Sequence, residues 1–357
     1  MSDRPRLYVA GMGGITALGA TVPMTAALVD AKMSAYAKSD FIAHNGEPAT
    51  MTAVPDLVFQ EIDARIGEGD RFNARHDRVI KMAIIALREA CARHVTKQTV
   101  PLVLAMPEVQ ADEEGLTPFL QNLIENLKPW LGTELTRSIH SGRAAGIEAV
   151  DFAFRYLYDL PHEFILIGGS DSYQDDARLS PLADAKRLLA PGARDGFVPG
   201  EAAGFLLLTR KKELASAHEG HIVALHPPGL GEEPGHLSSD AVYRGDGLDQ
   251  AFKRALLQHD SQQKIRRIYS SMNGEHYWGK EYGVAFIRNH DRFDERVDVA
   301  HPAEFFGDVG AATAPVLIAL AVTHLLDDPK ATVDLVYASS DGPTRGAIAV
   351  EKCRYEK

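Results

Sequence analysis

The stretch RDGFVPGEAAGFLLL, Arg194–Leu208, decides the fold. It begins with charged, glycine and proline residues and ends in the apolar run Gly204–Leu208. A short apolar run bounded by turn residues is typical of a strand buried on both faces of a sheet. Glu201, in PGEAAG, is interpreted as a structural carboxylate that ties the turn. The stretch therefore predicts a turn that leads into a buried strand.

Similar apolar runs recur on both sides of this stretch and alternate with helical patterns. The predicted strands are Leu7–Ala10, Leu102–Ala105, Phe164–Ile167, Gly204–Leu208, Ile222–Leu225, Ile268–Ser271 and Thr332–Tyr337. The predicted helices, with apolar residues at helical spacing, are Val79–Ala92, Gly146–Leu160, Gly247–Gln258 and Ala311–Leu326. Strands that alternate with helices indicate an α/β protein. The charged stretch Lys211–Gly220 marks a division of the chain into two halves.

Composition excludes several classes of function. The chain has 357 residues, 45% of them apolar, which is enough for a large core. Its net charge is -11 and it has no cluster of Lys and Arg, so nucleic acid is not expected as a partner. Cys91 and Cys353 form no pattern typical of disulfides or zinc, which favours the cytoplasm. The histidines lack metal-ligand spacing, so neither a metal nor a cofactor is predicted.

The opening LYVAGMGGITALG, Leu7–Gly19, predicts a strand and then a glycine-rich turn, where glycines permit positive φ and close backbone approach. A dinucleotide site is not predicted, because Thr16 stands where G-x-G-x-x-G requires its third glycine. The longest apolar stretch, Ala314–Leu326, falls short of the roughly 20 residues that span a bilayer. No membrane span is expected.

Segments spread from residue 7 to residue 350 resemble, in order, the β-ketoacyl synthase family of the thiolase superfamily. The most specific is Arg194–Leu208, which resembles the family's Asp-Gly-Phe-Val-x-Gly-Glu-Gly-Ala-Gly segment. The other segments are LYVAGMGGITALG, SGRAAGIEAVDFAF, FILIGGSD, SSMNGEHYWG, FFGDVGAATAPVLIAL and ASSDGPTRGAIAV. The resemblance implies a thiolase-like five-layer αβαβα fold with two similar halves and mixed sheets. The halves would be residues 1–210 and 211–357, packed as one compact unit.

Other residues stand at the positions that carry catalysis in this family. SGRAAG resembles the nucleophile turn Cys-x-x-Gly, with Arg143 in place of the cysteine. Asn273 replaces the first catalytic histidine and Asp308 the second. A guanidinium stays protonated and cannot be a nucleophile, and an aspartate at neutral pH would repel an enolate. These degenerate triad positions predict that the chain has no condensing activity.

Two interpretations of this cluster stay open. In one, Arg143 is neutralised by Asp308 or Glu275 in a buried ion pair that fills the old pocket. In the other, Arg143 lies at a helix N-terminus and binds a carboxylate or phosphate ligand. The candidate ligand-binding residues are Arg143, Asn273, Glu275, His276 and Asp308.

The leading hypothesis for function is a catalytically degenerate β-ketoacyl-synthase-like protein that acts as a scaffold or partner-binding subunit. The rival is an acyl-thioester transferase or hydrolase in the retained tunnel, with Asn273 as oxyanion donor and either Ser141 or bound water as nucleophile. His140 would then take the proton of Ser141, although no G-x-S-x-G surrounds it. A third hypothesis, a fatty-acyl sensor, requires an open apolar tunnel.

The resemblance also suggests partners. Relatives pair through a strand and helices beside the nucleophile turn, which here correspond to Pro101–Ala105 and Gly146–Leu160. A homodimer is therefore expected. Cysteine-less copies in the superfamily pair with an active synthase, and synthase-like proteins are encoded beside bacterial secretion-system effectors. An active synthase, an acyl carrier protein and a secretion-system effector are thus the candidate partners of what would be a bacterial protein.

Overall fold

The computed structural model describes residues 4–60, 62, 74–94, 100–108, 116–127, 131–259 and 263–355. The strands are β1 (Leu7–Thr16), β2 (Ala37–Ile42), β3 (Pro48–Met51), β4 (Val100–Ala105), β5 (Leu131–Ile139), β6 (Ile165–Ser172), β7 (Glu201–Thr209), β8 (His221–Leu225), β9 (Gly229–Glu232), β10 (Ile265–Ser270), β11 (Phe293–Ala300), β12 (Val333–Ser339) and β13 (Thr344–Arg354). The helices are α1 (Val22–Asp30), α2 (Ala74–Cys91), α3 (Leu116–Leu127), α4 (Ala145–Asp159), α5 (Asp176–Asp184), α6 (Asp246–Gln258), α7 (His276–Arg288), α8 (Ala303–Phe306) and α9 (Thr313–Asp327). Every strand and helix predicted from an apolar run overlaps one of these elements and extends past its ends by at most two residues.

Within the described residues, eleven strands form one sheet with the order β11-β10-β12-β13-β8-β1-β7-β6-β4-β5, and β9 pairs with β13. The order contains the same pattern twice. In β1-β7-β6-β4-β5 two antiparallel pairings are followed by two parallel ones, and β8-β13-β12-β10-β11 repeats this. The two sets are joined by a short contact in which Leu7 and Tyr8 of β1 face Leu225 and Ala224 of β8. The duplication suggested by the resemblance is therefore visible in the pairing pattern.

The helices form three layers around the two sets of strands. Helix α2 packs on the outer face of β1, β7 and β6, and α6 with α7 packs outside β10, β12 and β13. Helices α4 and α9 contact each other and lie between the two sets, where they form the largest hydrophobic cluster. The predicted five-layer α/β class, with mixed parallel and antiparallel pairing, is confirmed.

Strand β1 corrects one prediction. A turn was expected after Ala10, but the strand continues through its glycines to Thr16. The physical reason is helix packing, because a Cβ on Gly13 would lie 2.0 Å from the carbonyl oxygen of Ala86 in α2. A Cβ on Gly11 would likewise lie 2.1 Å from the carbonyl oxygen of Ala90 in α2. These glycines therefore allow close contact between a strand and a helix.

The helical segment that ends in α9 is longer than its apolar run suggested. Gly310–Asp327 forms 18 residues that are long and apolar enough to cross a membrane by length and composition. Within the protein, 78% of this segment is buried. A helix that is apolar on all sides is also typical of the centre of a large core, and α9 occupies that place here.

The strand expected at the dimer contact lies elsewhere. Pro101–Ala105 belongs to β4, which is paired with β6 on one side and β5 on the other, and its residues are buried. Among the described strands, β5 forms the edge on this side of the sheet. An interior strand has no unpaired backbone groups to offer a partner, so the prediction for Pro101–Ala105 is wrong.

Candidate functional site

The site lies where the two halves present equivalent turns. A short 3-10 turn, Gly142–Ala144, leads into α4, and Gly310–Ala312 leads into α9. Gly142 and Gly310 adopt φ of +62° and +54°, a conformation that glycine adopts at least cost. A Cβ at Gly310 would also lie 2.1 Å from Oδ2 of Asp171, which accepts a hydrogen bond from the N–H of Ala311 at 3.0 Å. The two turns therefore bring the N-termini of α4 and α9 together.

The segment that decided the fold holds one side of the site. The N–H of Asp308 donates to the carbonyl of Val198, and the N–H of Gly200 donates to the carbonyl of Asp308, both at 2.8 Å. Glu201, at the start of β7, accepts hydrogen bonds from the N–H of Val54 at 2.8 Å and the hydroxyl of Ser172 at 2.7 Å. These contacts place the backbone of Asp308 beside the buried sheet.

Arg143 is buried, with 5% of its side chain exposed. Its Nη1 donates to Oδ2 of Asp308 at 2.7 Å and its Nε to the carbonyl of Ser339 at 2.8 Å. Its Nη2 donates to Oδ1 of Asp341, and the guanidinium stacks on the ring of Trp278 at 4.6 Å. All three side-chain nitrogens therefore bind groups of the protein itself.

Asp308 and Asn273 are bound to each other as well as to their neighbours. Nδ2 of Asn273 donates to Oδ2 of Asp308 at 2.8 Å and to Oε2 of Glu275 at 3.2 Å. Oδ1 of Asp308 accepts the N–H of Gly310 at 2.9 Å. The side chain of Asp308 is 1% exposed. The three positions matched to the family's catalytic residues thus form one hydrogen-bonded cluster.

A second arginine closes the cluster on its outer side. Arg187 donates to both carboxylate oxygens of Glu275, from Nε at 2.7 Å and from Nη2 at 2.9 Å. Its Nη1 also donates to Oδ2 of Asp341 at 2.6 Å. Asp341 is therefore held between Arg187 and Arg143, and it links the turn between β12 and β13 to the N-terminal half of the fold.

The ring of Trp278 also contacts a third arginine. Arg345 lies over this ring at 5.6 Å and is fully buried. Nε of Arg345 donates to Oε1 of Glu281 at 2.6 Å, and Nε1 of Trp278 donates to Oε2 of Glu275 at 3.0 Å. Arginine, tryptophan and carboxylate side chains therefore fill the centre of the site.

The electrostatics keep Arg143 and Asp341 charged. Burial alone would lower the pKa of Arg143, but Asp308 and Asp341 more than offset it and hold that pKa well above its ordinary value. Burial would raise the pKa of Asp341, but Arg143 and Arg187 hold it well below its usual range. At neutral pH Arg143 and Asp341 therefore form a charged pair.

A cleft of about 380 Å³ leads to this network. Its charged lining residues are Arg143, Arg178, Arg187, Glu108, Asp171 and Asp341. Behind Asp308, a separate void of about 10 Å³ is bordered by apolar residues that include Phe306 and Leu317. Such a void is about the size of one water molecule. The space that reaches Arg143 is therefore polar, and the space behind Asp308 is almost filled.

No protein-family model matches the sequence, and no curated protein matches it either. The structure is similar to the ishigamide ketosynthase/chain length factor, with a TM-score of 0.72 and 16% identity over 98% of this chain and 99% of that one. A second similar structure is the AntDE:AntF complex, in which a type II acyl-carrier protein is bound to its ketosynthase with the hexaketide. Its TM-score is 0.72 and its sequence identity 15%, over 99% of this chain and 100% of that one. A third similar structure is the module 6 ketosynthase of the bacillaene synthase from Bacillus subtilis 168, with a TM-score of 0.77 and 14% sequence identity. The match covers 99% of this chain and 72% of that one.

The chain has the ketosynthase fold. At identities of 14% to 16% the similarity establishes the architecture and leaves the chemistry to the residues of this chain. The segment SGRAAG, whose sequence resembles the family's nucleophile turn, forms the turn that leads into α4 and carries Arg143.

The ketosynthase fold brings together four of the five candidate ligand-binding residues, Arg143, Asn273, Glu275 and Asp308. The predicted ion pair between Arg143 and Asp308 is present, whereas Glu275 binds Arg187. His276 does not join them. Its side chain is 71% exposed and its Nδ1 lies 3.4 Å from Oδ2 of Asp195. The helix α7 begins at His276 and turns its side chain outward, so the structure does not bring this residue to the cluster.

Ser141 and His140 do not form a nucleophile and base. The hydroxyl of Ser141 donates to Oε2 of Glu148, while Nε2 of His140 is 3.0 Å from the hydroxyl of Ser138. Adjacent residues seldom direct their side chains to the same point, and these two diverge. The hydrolase arrangement expected from the sequence is therefore absent from this pair.

Three residues that complete the site, Arg187, Asp341 and Arg345, were not singled out in the sequence. Asp341 and Arg345 both lie in ASSDGPTRGAIAV, a segment that already resembled the family. A search for acidic partners of an arginine at the nucleophile position could have found Asp341. Arg187 lies in none of the segments that resembled the family, so the sequence did not point to it.

Proposed function

We propose that this protein is a catalytically degenerate member of the ketosynthase fold that acts as a scaffold or partner-binding subunit. The observation that supports this most strongly is the state of Arg143. It stands at the nucleophile position, and all three of its side-chain nitrogens are bound to Asp308, Asp341 and the carbonyl of Ser339. A group in this state neither attacks a thioester nor leaves room for one.

Condensation needs a nucleophile that accepts an acyl group and donors that stabilise an enolate. Arg143 cannot supply the first, because its guanidinium has no free lone pair. Asn273 has a suitable amide, but its Nδ2 already donates to Asp308 and Glu275. A carboxylate at Asp308 would oppose negative charge on a substrate. The arrangement supports the absence of condensing chemistry.

The two cysteines of the sequence do not replace the lost nucleophile. Cys91 is buried in α2, and burial raises the pKa of its thiol to about 11. Cys353 is on β13, and burial together with Glu351 raises its pKa to about 11 as well. Thiols with raised pKa values carry little thiolate at neutral pH. Neither residue lines the cleft described above.

The rival functions find less support in the geometry. A transferase or hydrolase that uses Ser141 would need this serine in the cleft and beside a histidine, but Ser141 does not line the cleft at Arg143 and its hydroxyl donates to Glu148, while His140 contacts Ser138. A fatty-acyl sensor would need an apolar tunnel, but the cleft at Arg143 is lined by charged groups and the void behind Asp308 is about 10 Å³. The scaffold hypothesis needs neither feature.

Strand β5 lies at an edge of the sheet among the described strands, where a partner could pair with its backbone. The opposite edge of the sheet, β11, has the sequence FDERVDVA, and its many charged side chains oppose pairing with another strand. Strand β5 has the sequence LGTELTRSI, with fewer charges. On the neighbouring helix α4, the rings of Phe152 and Tyr156 stack at 5.9 Å and are only partly buried. This edge and aromatic row form the surface where we place the partner.

We propose that the partner at this surface has the same fold. A second copy would give the homodimer, and an active synthase would give a mixed pair like the ketosynthase/chain length factor to which this chain is similar. An acyl carrier protein or a secretion-system effector would bind elsewhere on such a dimer. The compartment that we propose is the cytoplasm.

The test of lost catalysis is an incubation of the purified protein with a panel of acyl-CoA and acyl-carrier thioesters. Free thiol release and the intact protein mass are followed together. We expect the native protein to release no thiol and to gain no acyl mass. Turnover by the native protein would overturn the proposal and require a nucleophile that the described residues do not reveal.

Two variants make this test sharper. Arg143→Cys places a thiol at the nucleophile position, and Arg155→Cys places one on the exposed face of α4, where the arginine is 71% exposed. The second variant measures how fast any surface thiol is acylated. If the site is closed as described, Arg143→Cys is acylated no faster than Arg155→Cys. Faster acylation would show that acyl thioesters still reach the site and would favour the acyl-binding function.

A further inference from the structure

Two buried histidines meet where the two sets of strands are joined. His226 follows β8 and is 1% exposed, and His259 follows α6 and is 2% exposed. Their rings are almost perpendicular, with centroids 5.4 Å apart. Among the described residues, Nδ1 of His226 has no hydrogen-bond partner, and neither ring nitrogen of His259 makes a well-formed hydrogen bond. Neither histidine lines the cleft at Arg143, so the pair is separate from the site described above.

The N-terminal segment crosses the same place and binds both halves of the fold. The N–H of Arg6 donates to the hydroxyl of Tyr158 on α4 at 3.1 Å. Nη1 of Arg4 donates to the carbonyl of Gln258, the last residue of α6, at 3.0 Å. Directly after this segment, β1 makes the short contact with β8 that joins the two sets of strands. Residues 4–6 therefore form a strap across this join, and we call them the N-terminal strap.

Glu351 on β13 connects the strap to the histidines. Its Oε2 lies 3.2 Å from Nη2 of Arg6 and 2.9 Å from Nε2 of His226. Nη1 of Arg6 also contacts Sγ of Cys353 at 4.0 Å. The side chain of Glu351 is 14% exposed, so water only partly screens these contacts. The strap is thus held by a carboxylate that also faces the imidazoles.

The surroundings of His259 favour its neutral form. Burial lowers the pKa of His259 to about 4, and His226 and Arg292 act in the same direction. Glu351 and the amide of Gln263 oppose this shift without offsetting it. Burial would raise the pKa of Glu351, but the hydrogen bond with His226 helps to hold it below its ordinary value. At pH 5 the carboxylate is therefore still ionised, and His259 is the group that resists its proton.

We propose that this histidine pair is an acid-sensitive lock on the join between the two halves. When His259 gains a proton, the new buried charge needs a counter-ion, and Glu351 is the carboxylate that faces it. Glu351 then turns to the imidazolium and leaves Arg6, which frees the N-terminal strap and weakens the short contact between β1 and β8. The lock is closed at neutral pH and opens in acid, independently of any partner at β5.

Proton linkage sets the sign and size of the effect. An exposed histidine has a pKa of about 6.5, which is above the value of about 4 in the closed state. Closure is therefore most stable above about pH 6.5 and is lost as the pH falls towards about 4. One proton raises the opening ratio about tenfold per pH unit in this window, which gives about thirtyfold between pH 7.5 and pH 5.

Hydrogen exchange followed by NMR tests the proposal, with each rate corrected for its intrinsic chemical rate. The reporters are the N–H of Arg6 and the N–H of His226, which donates to the carbonyl of Ala349 at 3.0 Å. Both should open about thirtyfold more often at pH 5 than at pH 7.5. The N–H of Leu320, in the buried helix α9, should not change. An equal rise at Leu320 would overturn the proposal, because the whole chain would then be unfolding.

His259→Gln keeps a polar side chain that cannot gain a proton, so its opening should not depend on pH between 7.5 and 5. The matched control is His44→Gln, at an exposed position, which should keep the thirtyfold rise. A rise in His259→Gln as large as in the native protein would contradict the lock. Glu351→Gln should open the N–H of Arg6 at least about fivefold more often at pH 7.5. Unchanged protection there would show that Glu351 does not hold the strap, and the proposal would fail.

A second measurement needs no variant of the buried histidine. The ring protons of His259 in the native protein should show no titration between pH 7.5 and pH 5.5, since its pKa is about 4. A midpoint near pH 6.5 for this ring would overturn the proposal even if His259→Gln did not fold.

Discussion

Removal of the Arg143 side chain should be among the most destabilising single changes in the centre of the molecule. In Arg143→Met, the unbranched side chain can still lie on the ring of Trp278. The carboxylate of Asp308, however, no longer has a positively charged partner. The side chains of the pair are 5% and 1% exposed, so water cannot replace the lost partner. Breaking a buried ion pair of this kind costs about 3–5 kcal/mol. Asp308 would keep only its hydrogen bonds from Asn273 and Gly310.

The assay is urea denaturation followed by circular dichroism, completed as a double-variant cycle with Asp308→Asn. Because the two groups are in contact, the double variant should be less destabilised than the sum of the single variants, by about 2 kcal/mol. Arg155→Met, which breaks an exposed pair on α4, should change stability by about 1 kcal/mol or less. A loss below about 1 kcal/mol for Arg143→Met, or a coupling near zero, would refute the conclusion that this ion pair holds the site closed.

Two further results are expected. Asp341→Asn should lower stability at neutral pH. Since Arg143 and Arg187 depress the pKa of Asp341, its contribution is present above the unfolded pKa of about 3.9 and is lost as the pH falls below it. The urea midpoints of the native protein and Asp341→Asn should therefore converge in acid. A difference that stays constant with pH would contradict the depressed pKa of Asp341. Phe152→Glu should weaken self-association in sedimentation velocity, whereas Ile287→Glu, a change at an exposed position on α7, should not. Equal self-association of these two variants would show that the partner does not bind at the surface of β5 and α4.

The predicted strands and helices were confirmed because each carries its own signal. A run such as Gly204–Leu208 is apolar on both faces, and α9 is apolar on all sides, so local composition is sufficient to indicate them. The edge strands β5 and β11 carry several polar and charged side chains, which gives them a weak local signal. Their position depends on which strand lies beside them. For the same reason the dimer contact was placed on β4, which the structure shows to be an interior strand.

The sequence by itself determined the α/β class, the order of the main elements and the identities of Arg143, Asn273 and Asp308 at the positions that carry catalysis in relatives. Only the tertiary structure decided what those residues do to one another. Arg187 and Asp341 close the network although they are 154 residues apart in sequence. Ion pairs and ring stacking depend on side-chain geometry across distant segments, whereas periodicity reports only on neighbours along the chain. The sequence could therefore predict which residues stand at the matched positions, and the fold was needed to show that an arginine, a tryptophan and paired carboxylates contact one another there.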